Sequence, residues 1–374
     1  MKITSVETIP IRVPIKPELA IRSGRGGSHV ISPFLLVKIH TDSSLTGIGE
    51  VSCTPRWSGE DQVSAAHFIH TYFAPALIGE DPTDVEPVTR KFASTVAGNP
   101  FTKAGVEMAL WDLRGKADGL PVYQLLGGKV RDFVPTKWSV SGVEPARAAD
   151  IARRAVDQGF AKMKVKVGID PESDVARVRA VREAIGTQIK LGVDANGGWN
   201  SADVAIATAR RLRDVADIYF VEQPVPAGEN DALAAVREAI DVPIIADESV
   251  YTLSDARILA RDAAADVFSI YVGKAGGIAA ARAIAAFAES AGLACTVGSN
   301  LELGVGSAAM THLAIATRGV DAETYPCDII GPLFYEDDIV RDPLPIVPGS
   351  ARVNDKPGLG VELDEEKVER YRVR

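Results

Sequence analysis

Three short stretches of the chain end in acids: VDANG carries Asp194 with Asn196, VEQP carries Glu222, and ADES carries Asp247 with Glu248. The acids recur 28 and 25 residues apart. That is about the length of one strand-and-helix unit, so in a chain of such units they arrive at the same end of neighbouring strands. Carboxylates sharing one cavity repel each other unless a cation neutralises them, and an all-oxygen set suits a hard ion, Mg²⁺ or else Mn²⁺. The plainer alternative makes each acid a solvated strand-end residue or an ion-pair partner. Recurrence on three successive units favours the metal. Asp247 and Glu248 are adjacent and point to opposite faces of an extended strand. Asp247 is therefore assigned to the ligand set with Asp194 and Glu222, while Glu248 and Asn196 stand behind it.

KMKVKVG places Lys162, Lys164 and Lys166 at alternate positions, on one face of a strand, with Met163, Val165 and Val167 on the other. An ammonium facing an interior is costly unless it has a task. Neighbouring cations and partial burial disfavour its charged form, which suits Lys166, nearest the strand's end, to act as a base near neutral pH. Lys162, at the other end, reads as structural. VGKAGG supplies Lys274 from a strand that lies across an eight-stranded ring from the first lysine strand. Lys166 and Lys274 would then flank a substrate, one removing a proton and the other returning it or stabilising charge. GSNLELGVG offers Ser299, Asn300 and Glu302 to the same mouth, although Glu302 reads equally well as the first turn of the following helix. None of His29, His40, His67, His70 and His312 falls at an expected strand end, and no GxSxG occurs. Histidine and serine-nucleophile chemistry are not indicated.

These residues need a scaffold that points many strand ends at one place. From about residue 134 a short apolar strand and an amphipathic helix alternate, with strands expected at 136–141, 162–167, 190–195, 218–223, 242–248, 267–273, 295–299 and 324–328. Eight such strands favour a parallel barrel, whose catalytic groups sit at the strands' C-terminal ends. An open doubly wound sheet is the alternative, but no GxGxxG follows the first strand and no GxxxxGK[ST] occurs. Residues 1–130 read as an α+β unit with a Gly/Ser-rich loop at 23–28 and a helix over 103–116, and 131–328 as the barrel. Residues 329–374, rich in proline, are expected to pack back on the N-terminal unit. The 374 residues exceed the ~250 of a barrel by enough for that second unit.

Composition narrows the function. Hydrophobic residues make up 46% and charged residues 24%, which supports a packed globular core, and the net charge of -9 comes without a basic run, which argues against nucleic acid. No stretch is apolar enough to cross a bilayer and the first residues lack a signal-peptide pattern, so a cytoplasmic location is expected. Cys53, Cys295 and Cys327 are odd in number and widely spaced, which fits buried free thiols.

Taken together, AGVEMALWDLRGKADGLPVYQLLGG, the strand carrying KVK, VDANGGW, VEQP, ADES, GKAGG and the terminal PGLGVELDE resemble the enolase superfamily, specifically the muconate lactonizing enzyme (muconate cycloisomerase) subgroup of the mandelate racemase/muconate lactonizing enzyme family. The resemblance spans nearly the whole chain. It implies an α/β fold, a (β/α)7β modified TIM barrel with an α+β capping domain formed from both chain ends. It also implies Mg²⁺ (or Mn²⁺) held by Asp194, Glu222 and Asp247, an acid/base Lys166 with Lys164 beside it and Lys274 opposite, and a homo-oligomer between dimer and octamer. Mandelate racemase itself looks different, with a His and an Asp where this chain has Ser299/Asn300 and Lys274. Related dipeptide epimerases carry an Asp-x-Asp that holds a substrate ammonium; CDIIGP keeps Asp328 but has Ile330 in the second place.

The implied chemistry is proton removal next to a substrate carboxylate through a metal-stabilised enolate, leading to cycloisomerisation or epimerisation. Racemisation of an amino-acid derivative and dehydration of a hydroxy acid share that intermediate, and a non-catalytic ligand-binding barrel is the reading from another class. Specificity is expected from loops 21–29 and 53–60, where Arg22, Arg25 and Arg56 could meet a distal carboxylate and Trp57 form an apolar wall.

Overall fold

The structure of the protein, a computed structural model, describes residues 1–24 and 28–373. The N-terminal unit is built on an antiparallel sheet of β1 (Ile3–Pro14), β2 (Ile31–Thr41) and β3 (Thr46–Ser52), in that order. Alternation fixes its register: Ile9, Ile11 and Val13 of β1 are buried, and Ile11 lies opposite Phe34. Helix α1 (Pro100–Asp118) crosses this sheet and is buried over most of its length. The close approach depends on glycine, because a Cβ at Gly49 of β3 would stand 1.8 Å from the Gly105 carbonyl oxygen of α1. The helix starts on Pro100, with the amides of Phe101 and Thr102 received by the Glu60 carboxylate, and stops at Gly119 in the left-handed region.

The second unit alternates strand and helix. Strands β4 (Trp138–Val140), β5 (Lys162–Lys166), β6 (Lys190–Asp194), β7 (Val221–Glu222), β8 (Ile244–Ala246), β9 (Val267–Ile270) and β10 (Ala294–Val297) form one parallel sheet in sequential order. Helices α2 (Pro145–Asp157), α3 (Pro171–Ile185), α4 (Ala202–Ala216), α5 (Asn230–Ala239), α6 (Leu253–Arg261) and α7 (Ile278–Ser290) connect the strands, and α8 (Gly304–Ala316) follows the last. Asp170, Ser201 and Thr252 cap the starts of α3, α4 and α6.

Two expectations need correction. The eighth strand, expected at 324–328, is not a regular strand. Its last residues close the ring by single bonds: the Cys327 amide donates to Pro135, its carbonyl accepts from Lys137, and the Asp328 amide donates to Val297. Pro326 has no amide to offer a ladder, which limits pairing there. The sixth strand was expected to run to 273, but it ends at Ile270, and Lys274 rides on a short helical turn, Val272–Ala275, stopped by Gly276 in the left-handed region.

Two acids of the N-terminal unit dock it onto the barrel by receiving helix amides. Glu107 of α1 accepts from Ile278 (2.5 Å) and Ala279 (3.0 Å) at the start of α7. Glu50 of β3 accepts from Leu303 (2.8 Å) and Gly306 (2.9 Å) at the start of α8. Each satisfies donors that a helix terminus leaves without partners. The C-terminal segment returns to the same unit, where α9 (Glu365–Tyr371) is followed by a bridge from Arg372 to Ile11. All three cysteines are buried and free. Among the described residues no helix is long and apolar enough to cross a membrane.

Candidate active site

Parallel register brings the chemistry together. Lys166 is the ladder partner of Asp194, and Asp194 that of Glu222, so the three stand at one level at the ends of β5, β6 and β7. Lys164, one step deeper and buried, has its ammonium 3.1 Å from Asp194, 2.8 Å from Glu222 and 3.0 Å from Asp328. Burial alone would lower the pKa of this lysine, but the charges of Asp328, Glu222 and Asp194 outweigh it and hold the pKa well above the ordinary value. Lys166 Nζ donates to Asp194 Oδ2 at 2.6 Å and to Asn196 Oδ1 at 3.0 Å. Asn196, itself in the left-handed region, passes the link on by donating to Glu248 Oε1 at 3.1 Å. Lys162 lies at the far end of β5 and donates to the Glu323 carbonyl, outside the cluster.

Asp247, just past β8, is held by Lys274 Nζ at 2.5 Å on one oxygen and by the Tyr271 hydroxyl at 2.8 Å on the other. Lys274 is almost fully buried and donates as well to the carbonyls of Asp247 and Ser269. Its ammonium lies 4.3 Å from the centre of the Tyr271 ring, with the Tyr251 and Trp57 rings also close. Trp57 stacks on both tyrosines. Asp328 Oδ2 accepts from Lys164, and the buried Lys137 ammonium, which donates to the Pro326 carbonyl, forms an ion pair with Oδ1 at 3.2 Å without a hydrogen bond to it. Lys137 and Tyr271 were not singled out from the sequence: neither belongs to a motif, and only the closed ring places them beside the acids.

The charge pattern fits a divalent ion. Burial would raise Asp194, but Lys166 and Lys164 hold it far below the carboxylate range. Glu222 is pushed upward by burial and by the charge of Asp194, and its Oε2 is buried with no hydrogen-bond partner. A cation beside Glu222 would relieve both conditions, and the donors are all oxygen. As the side chains stand, the carboxylates are drawn onto lysines, and among the described residues no three His, Cys, Asp or Glu are gathered closely enough to hold an ion.

Above the cluster lies a cavity of about 700 Å³. Its floor includes Lys164, Lys166, Asn196 and Asp328, its barrel wall Ser299, Asn300 and Ile330, and its roof His29, Arg56 and Trp57 from the N-terminal unit. Lys274 is not among the lining residues. Glu302 is neither in the cavity lining nor in the first turn of α8. It is buried in the turn before α8, where it accepts from Ser299 Oγ and the Asn300 amide and so holds those two residues at the mouth. Arg22 is exposed and outside the lining; its backbone amide donates to Ser141 Oγ and its carbonyl accepts from the Gly142 amide. Arg25 lies outside the described residues. His29, passed over because it is at no strand end, lines the cavity.

The model of the mandelate racemase/muconate lactonizing enzyme N-terminal domain matches residues 6–127, and that described as enolase C-terminal domain-like matches 147–367. N-succinyl-L-Arg/Lys racemase of Bacillus cereus is 34% identical over 100% of this chain and 98% of its own length. The crystal structure of that racemase superposes with a TM-score of 0.94 at 33% identity, covering 100% of this chain and 99% of the other. Muconate cycloisomerase 1 of Rhodococcus opacus is 33% identical over 99% of this chain and 98% of its own. A dipeptide epimerase from Enterococcus faecalis, crystallised with Mg and the dipeptide L-Leu-L-Tyr, has a TM-score of 0.91 at 31% identity, covering 97% and 100%. The chain belongs to the mandelate racemase/muconate lactonizing enzyme family of the enolase superfamily and is an isomerase of that family.

Proposed function

We propose that this isomerase removes and returns the proton next to the carboxylate of an N-acylated amino acid, with Mg²⁺ held by Asp194, Glu222 and Asp247. The observation that carries the choice of substrate is the state of Asp328. It is the one carboxylate among the described residues that line the cavity, and two lysines already face it: Lys164 donates to Oδ2, and the Lys137 ammonium lies 3.2 Å from Oδ1 as an ion pair without a hydrogen bond. A free substrate ammonium would be desolvated there beside two lysine charges that already oppose the acid, whereas a neutral amide nitrogen carries no such penalty. Ile330 adds an apolar wall beside it. Muconate-type cycloisomerisation begins with the same kind of carboxylate substrate and is the outcome to test against.

Lys166 is assigned as the base on the cavity side, since its ammonium group opens to the cavity while Asp194 and Asn196 fix its position. Lys164 stays charged under its three carboxylates and contributes a fixed positive charge below the reacting centre. The reverse face falls to Lys274, which must come out from under the Tyr271 and Trp57 rings to meet a substrate. The ion, when bound, supplies positive charge where negative charge develops on the substrate carboxylate. Three buried free thiols suit the reducing cytoplasm.

The test is a panel of N-acyl amino acids, dipeptides, muconates, proline derivatives and hydroxy acids, followed by NMR in D₂O with Mg²⁺ and then with a chelator. Metal-dependent α-deuterium incorporation into N-acyl amino acids, with loss of optical rotation, is expected. Turnover confined to dipeptides or muconates would replace this substrate class.

A further inference from the structure

A hydrogen-bond chain runs from His29 at the cavity through Ser32 and Tyr335 to Leu301. His29 Nε2 lies 2.6 Å from Ser32 Oγ, Ser32 Oγ lies 2.8 Å from the Tyr335 hydroxyl, and that hydroxyl lies 2.6 Å from the Leu301 carbonyl oxygen. Ser32 and Tyr335 are buried. A carbonyl oxygen only accepts, so at 2.6 Å the single phenolic proton of Tyr335 belongs to Leu301. Tyr335 must then accept from Ser32, and Ser32, its own proton spent, must accept from His29. The ring is therefore protonated at Nε2. Burial lowers the pKa of His29, which keeps the ring neutral near pH 7. A neutral imidazole protonated at Nε2 has an acceptor at Nδ1, and among the described residues Nδ1 has no hydrogen-bond partner. The far end of the chain is also at the cavity, because Leu301, a non-glycine residue at φ 60, lines it too.

We infer that His29 is a specificity residue whose Nδ1 accepts a hydrogen bond from an N–H or O–H group on the substrate's side chain. The cap side of the cavity would thus favour a substrate ending in a neutral or cationic donor over one of the same shape without it. The inference rests on the reading of this cavity as the pocket for an N-acyl amino acid.

Two measurements test it. The tautomer is read from two-bond proton–nitrogen correlations of the imidazole in the whole ¹⁵N-labelled protein without substrate, with His29→Gln assigning the signal. A protonated Nε2 and a bare Nδ1 are expected, and the reverse pattern overturns the inference whatever the enzyme turns over. Selectivity is read as kcat/KM for α-proton exchange on N-acetylglutamine, which carries an amide donor, and N-acetylmethionine, of similar shape without one. His29→Leu is expected to lose roughly tenfold on the glutamine derivative, through KM, and less than about threefold on the methionine derivative. His29→Asn, which keeps an acceptor near the Nδ1 position, is expected to recover part of the loss. An equal fall on both substrates would mark His29 as merely structural, and no fall on either would remove it from recognition. If the wild type exchanges neither substrate, the proposed substrate class fails, and the tautomer measurement still decides the first half of the argument.

Discussion

Lys166 and Asp194 are ladder partners on adjacent parallel strands, and the ammonium of one lies 2.6 Å from the carboxylate of the other. The contact ties the assigned base to an assigned metal ligand, so the two roles can be separated by mutation. Lys166→Ala removes the base and leaves the oxygen donors in place. It should lower α-proton exchange by about 10²- to 10⁴-fold, the usual contribution of a positioned base, while Mg²⁺ binding measured by calorimetry persists. Exchange at the wild-type rate in this variant would sink the assignment.

Tyr271 gives Asp247 its second hydrogen bond, at 2.8 Å, and burial followed by the Asp247 charge raises the pKa of this phenol well above its usual value, so it remains a donor. Tyr271→Phe keeps the ring that stacks on Trp57 and deletes only the donor. Support of this kind is worth about 10- to 100-fold in metal affinity. Calorimetry should therefore show Mg²⁺ binding weakened by at least about tenfold in Tyr271→Phe, with the fold unchanged by circular dichroism. An affinity indistinguishable from wild type would mean that Asp247 is oriented by Lys274 alone.

The acids and the alternating lysines were legible because they obey local rules: period two within a strand, and one acid per strand-and-helix unit. Asp194, Glu222 and Lys166 stand in register as that arithmetic requires. What the sequence did not disclose depends on closure. Lys137 meets Asp328 only because residues 326–328 seal the ring, and although a strand is expected at 324–328, no local pattern says which residue faces Asp328 across that seam. Trp57, expected as an apolar wall, does line the cavity, whereas His29 reaches it across the interface between the two units, and nothing in its spacing encodes that contact. Glu302 was ambiguous because one residue decides whether a helix has begun; α8 starts at Gly304, and the acid serves the turn before it.

The two units are joined through helix termini, and Glu107 is the sharper test of that docking. Glu107→Ala leaves the buried Ile278 amide and the half-buried Ala279 amide without that acceptor, and a buried group so left costs about 1–3 kcal/mol. Urea unfolding at fixed pH should show a loss of that order. The pH dependence has a definite sign. Burial raises the folded pKa of Glu107 to about 7, against 4.5 for the free residue, so between those values the folded state binds more protons than the unfolded one. Its stabilising contribution therefore fades as pH rises through that window. The deficit of Glu107→Ala should be larger at the acid end of the window than at the neutral end.

His312 gives the opposite slope. The Tyr123 amide can only donate, so His312 Nδ1 accepts it at 3.1 Å and Nε2 donates to the Leu359 carbonyl at 3.1 Å. A proton on Nδ1 would break the first bond, and burial lowers the folded pKa to about 4 from 6.5. Between those values the unfolded chain takes the proton first, so stability falls as pH drops through the window, by up to about 3 kcal/mol for this one group. In His312→Gln the titration is gone. The stability gap between wild type and variant, measured by urea unfolding at steps from pH 6.5 down to about 4, should narrow steadily. A constant gap across those steps would mean that the ring is not held neutral, and acid sensitivity would then have to come from the carboxylates alone.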